Sequence, residues 1–428
     1  MSSALKSIAK PAHCAELAGR YRRVRDLSLE LVDPLSVEDC QVQSMPDASP
    51  AKWHLAHTTW FFETFVVDRQ IEDYHPFHPH FQTLYNSYYN AVGRPHPRPQ
   101  RGLITRPSLK QVFDYRNHVD ALIHDLLHNQ RLDREARAVM EIGLQHEQQH
   151  QELILTDVKH LLSRNPLLPA YDDLALPLGR ASGPMQWFDY PQGLREVGFE
   201  GDGFAYDNES PRHTVFLQAF QLASRLVSNA EFLEFMEDDG YGRHELWLSE
   251  GWDTVQREGW SHPFYWQRRQ DQWQEFTLGG LRPLDPQSPV CHISYFEADA
   301  YARWAGARLP REEEWEAVAA GEEIEGNFVD DELLHPAAPV EDADSGRPLQ
   351  LFGDVWEWTG SSYSPYPGYR AAEGALGEYN GKFMCNQYVL RGGSCATSRN
   401  HIRATYRNFF PASARWQFSG LRLARDLS

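Results

Sequence analysis

One stretch constrains both the fold and the chemistry of this chain: REARAVMEIGLQHEQQHQELILTDVKHLLSR, residues 134–164. It reads as a single long helix. Within it Val139, Ile142, His146, His150 and Leu153 fall on one stripe, in steps of three and four. Such a stripe faces inward, so two histidines interrupt an apolar face that has to be buried. Residues four apart on a helix lie about 5–6 Å apart at Cβ, so His146 and His150 are spaced to hold one ion. A lone inward histidine is more often a core residue satisfied by hydrogen bonds. A pair at chelating spacing reverses that preference.

Residues 16–32, 49–68 and 108–128 read as three further helices, and four together predict a bundle. Ser49 stands as the N-cap of the second, with Pro50 at its first helical position. There Trp53, His57, Trp60 and Phe61 repeat the stripe, with His57 at another apolar position. His57 is therefore the candidate third ligand, with His54 as its competitor. Three neutral imidazoles suit zinc, copper, iron or nickel, and spacing does not choose among them. The long loop 78–107 is dense in Pro, Arg and Tyr. Loops of that length in compact domains are functional or disordered, and its aromatics argue against disorder.

HEQQH also fits the H-E-x-x-H pattern of zinc peptidases, in which the glutamate is the base. No HxxGxxH continuation follows, which makes that the minority reading. Its test is whether Glu147 is needed.

Beyond the bundle the texture changes. Residues 165–179 read as a linker. Strand-like runs such as 213–223 then alternate with turn residues, with one clear helix at 294–307. Residues 321–346 are acidic and irregular, as a solvated surface segment would be. The expected division is a metal-binding bundle over 1–178, with an active-site loop at 78–107, and a second domain over 179–428. A length of 428 residues allows it, and 41% hydrophobic with 24% charged residues is ordinary for a globular chain. A net charge of −19 argues against binding nucleic-acid phosphates. Five scattered cysteines, none in a CxxC, argue against a disulfide framework and for a reducing cytoplasm. No run of about 18 apolar residues predicts a membrane span.

Three stretches then gain weight by occurring together: SMPDASPAKWHLAHTTWFFETFVV (44–67), LYNSYYNAVG with HPRPQRGLITRP (84–107), and HEQQHQELIL (146–155). They resemble the ergothioneine-biosynthesis sulfoxide synthases, or hercynine oxygenases. Residues 209–235, 300–319, LFGDVWEWTGSSY (351–363), VLRGGSC (389–395) and SGLRLAR (419–425) resemble the formylglycine-generating-enzyme fold, a variant of the C-type lectin fold. The resemblance implies an α+β chain: a DinB-like four-helix bundle followed by a C-type-lectin-like domain. It implies iron(II) on His57, His146 and His150. It implies small-molecule substrates, with O2 coupling a cysteine-type thiol to C2 of the hercynine imidazole and oxygenating the sulfur. Tyr88 and Tyr89 match the tyrosine pair of the cysteine-using branch. In an extended loop the two point opposite ways, so one faces the metal, with Tyr89 preferred as the proton donor. Gln149 would hydrogen-bond the substrate imidazole. Phe409 and Phe410 would line a trimethylammonium pocket by cation–π attraction. Asp47 would add negative charge near the substrate. Arg98 and Arg101, with Arg106 behind them, would take the donor carboxylate. Trp416, with Gln417, would frame the cleft, and the second domain would serve as a scaffold without a copper site at Cys385 and Cys395. The bland alternatives are aromatic packing, a solvent-facing glutamine, a helix-entry cap and exposed loop arginines. A selenium donor, an ovothiol-type regiochemistry, zinc- or nickel-dependent thiol transfer and a metal-free binding role stay open at this point.

Overall fold

The computed structural model describes residues 14–89, 92–176, 183–339, 346–371 and 380–427. The expected junction at 178/179 lies outside them. The chain separates into two compact units. One holds the described parts of Met1–Pro166, Gly201–Asp207 and Arg370–Lys382; the other holds those of Leu167–Glu200, Asn208–Tyr369 and Phe383–Ser428.

The first unit is built on α1 (Cys14–Glu30), α2 (Ala51–Phe62), α3 (Leu109–His128) and α4 (Arg134–Ser163). α1 and α2 each pack against both α3 and α4. Local chemistry sets the ends. Ser108 and Gln111 form a reciprocal capping box at the start of α3, and the Asp133 carboxylate accepts the Ala136 N–H at the start of α4. The second helix departs from expectation at both ends. Its N-cap is Pro50, without a side-chain cap, and it passes at Glu63–Val67 into a π-helical turn. The Ser49 hydroxyl is diverted from capping: it accepts Arg101 Nη1 at 2.9 Å.

α4 also departs from the expected single inward stripe. Between Gly143 and His160 only Gln149, Glu152 and Leu153 are not fully buried, and Ile142 and Leu153 of the stripe are half-buried. The cause is that α1 and α2 cover different faces of the same helix. The approach of α2 needs Gly143, where a Cβ would stand 2.5 Å from the Phe62 ring.

In the second unit four small sheets pack with four short helices among the described residues. β1 (Trp187–Tyr190), β4 (Phe220–Ala223) and β12 (Ala424–Asp426) form one sheet, and β2 (Gly193–Val197) pairs with β3 (His213–Leu217). β5 (Trp266–Arg269), β6 (Gln272–Thr277) and β7 (Gly280–Pro283) form a third sheet. The fourth runs β10 (Asn408–Pro411), β9 (Gln387–Arg391), β8 (Trp356–Ser362), β11 (Ser419–Gly420). The helices are α5 (Asn229–Glu237), α6 (Ser249–Glu258), α7 (Tyr295–Trp304) and α8 (Glu312–Ala319). Only α7 was legible. Length does not separate it from the others: α7 has ten residues and they have eight to ten. Ser228 and Glu231, which form a capping box at α5, were the missed signal.

The motifs of this unit meet in one buried ion network. Arg391 reaches Glu312 and Glu316, each at 2.9 Å, Arg407 pairs with Glu312 at 2.8 Å, and Arg422 pairs with Glu357 at 3.0 Å. Trp315 Nε1 donates to the same Glu357 at 3.1 Å. These residues come from the LPREEEWEA, DVWEW, RGGS and GLRLAR stretches, with Arg407 from YRNFFP. Their charges are spent on one another, which makes them a structural core.

Candidate metal centre

His57 lies on α2, and His146 and His150 lie one turn apart on α4. Each offers one ligand atom, and these atoms all fall within 4.8 Å of one another. The three rings form a nearly equilateral group, with centroids 4.6–4.9 Å apart. His57 is sandwiched between Trp53, stacked at 4.5 Å, and Trp60, stacked at 5.5 Å. Its Nδ1–H donates to the Tyr85 carbonyl at 2.5 Å, so its Nε2 carries the lone pair. That atom is 3.2 Å from His146 Nε2. Burial pushes the pKa of His57 and His150 well below the ordinary histidine range and that of His146 to about 4. The cluster is therefore three neutral imidazoles at neutral pH.

This arrangement fits a metal ion. At a metal–nitrogen length of about 2.1 Å, two ligands stand roughly 3.0 Å apart at right angles and roughly 3.4 Å apart in a tetrahedron. The observed 3.2 Å lies between and does not select a geometry. Neutral histidine nitrogens are the usual donors to such ions, and three of them leave positions open for other ligands.

His54, the competing ligand, stands outside the trio. Its Nδ1 is 2.8 Å from His150 Nδ1, and its Nε2 is 3.0 Å from Asp157 Oδ2.

Glu147 points elsewhere. Its carboxylate, fully buried, receives Arg25 Nη1 at 2.9 Å, Arg116 Nη2 at 2.6 Å and Ser28 Oγ at 2.7 Å. Burial alone would raise its pKa, but Arg116 and Arg25 overcome that and hold it down at about 2. A carboxylate locked between two guanidiniums is a poor base, and the peptidase reading loses its catalyst.

Among the loop arginines only Arg101 is buried. Its guanidinium lies 3.4 Å from the centroid of the Trp53 ring. It donates to the hydroxyls of Ser49 at 2.9 Å and Ser87 at 3.0 Å. No carboxylate pairs with it among the described residues, and its Nε is buried without a partner. Burial, and then Arg98, lower its pKa to about 9. A buried cation of this kind is a ready receptor for an anion. Arg98 and Arg106 are exposed and donate to the backbone carbonyls of Asp47 and Thr105; Asp47 itself is exposed.

The tyrosine pair corrects one expectation. Tyr88 and Tyr89 do not diverge: their rings stack, with centroids 4.7 Å apart. The segment is a turn, in which the Asn86 side chain accepts the Tyr89 N–H and donates to the carbonyls of Tyr89 and Gly93. Tyr89 is buried against Trp60 and Phe65. Tyr88 is half-buried, and Lys382 Nζ donates to its carbonyl at 2.6 Å. Gln149 is half-buried between the two helix histidines.

In the second unit Phe409 and Phe410 are successive residues of β10 and so leave on opposite faces. Phe409 stacks on Tyr363 at 4.1 Å, whereas Phe410 meets Trp416 edge-on at 6.0 Å.

Sequence reasoning missed Asp157, Tyr85, Ser87 and Lys382. Asp157 had a signal, because it lies seven residues after His150 and hence on the same side of α4. The Tyr85 carbonyl had none.

Residues 189–347 and 348–427 match the sulfatase-modifying factor enzyme 1-like domain, and residues 20–154 match the DinB superfamily. A hercynine oxygenase of Mycolicibacterium thermoresistibile is 31% identical, over 97% of this chain and 96% of the relative. A hercynine oxygenase of Mycobacterium tuberculosis is 32% identical, over 96% of this chain and 99% of the relative. A formylglycine-generating enzyme of Streptomyces coelicolor is 28% identical, over 45% of this chain and 73% of the relative.

Proposed function

The chain belongs to the hercynine oxygenase family, and from that membership we propose a sulfoxide synthase of ergothioneine biosynthesis that uses iron(II) and O2. The substrates are hercynine and a thiol, with cysteine the preferred donor. The observation that carries this reading is the buried trio of neutral imidazoles.

His57, His146 and His150 hold the ion. Iron(II) in that place supplies one-electron chemistry with O2 and a common anchor for thiol and imidazole, which removes much of the entropic barrier to their meeting. The protein does the rest. Arg101 takes the carboxylate of the donor; its exposed neighbour Arg98 adds positive charge. Gln149 orients the substrate imidazole by hydrogen bonding. One tyrosine of the pair holds a proton that it lends during the reaction, while the two hydrogens that end in water come from the donor S–H and the imidazole C–H. Tyr89 is retained as the first candidate, and the half-buried Tyr88, within electrostatic reach of Arg101, is the competitor. The faces of Phe410 and Trp416 suit a trimethylammonium cation. The division into 1–178 and 179–428 is kept as the working domain boundary, and the scattered cysteines suit the cytoplasm.

The test is anaerobic reconstitution with iron(II), followed by O2 uptake with hercynine and cysteine and mass spectrometry of the product. Uptake that requires both substrates and yields a hercynyl-cysteine sulfoxide is expected. Iron bound without uptake would remove cysteine as the donor. Failure to bind iron would remove the metal assignment.

A further inference from the structure

We infer that His54 and Asp157 form a hydrogen-bonded chain that selects the tautomer of His150 and so presents its Nε2 lone pair to the metal. The inference rests on the three-histidine reading of the site.

Asp157, 5% exposed on α4, receives two donors on a single oxygen. The Ser49 N–H reaches Oδ2 at 2.8 Å, and His54 Nε2 reaches the same atom at 3.0 Å. An ionised carboxylate only accepts, so the His54 proton sits on Nε2. His54 Nδ1 is then an acceptor. It faces His150 Nδ1 at 2.8 Å, a hydrogen-bond distance that requires one proton between the two nitrogens. That proton belongs to His150. A neutral imidazole carries one N–H, so His150 Nε2 is left with its lone pair. The polarity runs one way from carboxylate to ligand: Asp157 accepts from His54, and His54 accepts from His150. His57 is oriented independently by the Tyr85 carbonyl. Hydrogen bonds of this kind to the far nitrogen of a ligating histidine raise its basicity and hold its ring.

His54 is on this argument a positioning residue, and side-chain geometry separates that role from packing. The asparagine amide oxygen falls near the place of histidine Nδ1, so His54→Asn keeps an acceptor for His150. His54→Leu fills similar space and keeps none. The measurement is the dissociation constant of the metal-free protein for Co(II) alone, by competition with a chromophoric chelator at one fixed pH. The Co(II) absorption bands and the melting temperature of each variant are recorded alongside it.

His54→Leu should weaken Co(II) binding about 10–100-fold, as loss of such partners does. His54→Asn should recover most of that loss and keep wild-type-like bands. Asp157→Asn, which can still place an oxygen at the Oδ2 position, should bind within a few-fold of wild type, whereas Asp157→Leu should not. This second pair decides the matter if His54→Leu does not fold. Equal affinity of the leucine and asparagine variants at either position overturns the inference. Wild-type protein that fails to bind Co(II), or binds it unchanged after His150→Ala, overturns the metal site itself and the inference with it.

Discussion

Two faces of α4, one residue apart, carry opposite solutions to buried polarity. On one face Glu147 is matched by Arg25 and Arg116, and Gln151 beside it donates to the Val24 carbonyl at 2.7 Å. On the other, His146 and His150 meet His57 as three neutral acceptor-bearing rings, with Arg101 nearby as a buried cation that donates to two hydroxyls and lies over Trp53, with no carboxylate paired to it among the described residues. The first cluster has its counter-charges within the fold. On the function proposed above, the second would be completed from outside, by a cation among the imidazoles and an anion at Arg101. Buried charge that is matched internally is costly to unmatch and so belongs to the fold; donors and charges left for external partners make a site.

The comparison can be broken by substitution. The largest effect is expected from His150→Ala, which should abolish iron binding and turnover while leaving the metal-free protein folded. Metal content and circular dichroism check both halves, and full iron with full turnover would remove the site assignment.

Glu147→Gln should act in the opposite sense. Uncompensated charge between Arg25 and Arg116 should cost about 3–5 kcal/mol of stability, while molecules that remain folded keep their metal affinity and activity. Denaturant titration and activity per folded molecule report the two. Proton linkage gives the same face a second test. The folded pKa of Glu147, about 2, lies below the ordinary 4.5. Its contribution is therefore present in full above about pH 4.5 and is lost as pH falls toward 2, amounting to about 3 kcal/mol. That part of the acid-denaturation slope should be missing from the glutamine variant.

Arg101→Met should lower kcat/KM for the thiol donor about 10–100-fold, the worth of charge-assisted hydrogen bonds, mainly through KM. It should not lower stability, because it removes a buried cation that lacks an ion pair. A clear drop in melting temperature with unchanged KM would make Arg101 structural. The smallest and most specific change is expected at the tyrosines. Tyr89→Phe should slow sulfoxide formation and divert thiol to simple oxygenation, read as the product ratio by mass spectrometry. If Tyr88→Phe alone diverts it, the proton belongs to Tyr88.

Much of the fold was legible because its signals are local. Apolar periodicity marks the four bundle helices, and histidines at its apolar positions on α2 and α4 mark the trio that the fold brings together. The stacking of Tyr88 on Tyr89 was not legible, since it depends on a turn closed by Asn86. Nor was the burial of α4 on nearly every side, because periodicity describes one helix and burial depends on its neighbours. Three of the four short helices of the second unit were missed, although Ser228 and Glu231 mark the start of one.

What the sequence by itself determined is therefore the inventory: which segments form the bundle helices, which histidines are candidates for chelation, and which family the motifs resemble. Only the tertiary structure decided how each buried polar group is used. It gave Glu147 to two arginines, left Arg101 with hydroxyls, and placed His54 between Asp157 and His150. The reason is physical. Helical spacing sets which way a side chain leaves its own backbone, but a hydrogen bond or an ion pair exists only where a second segment, distant in sequence, brings its partner within about 3 Å.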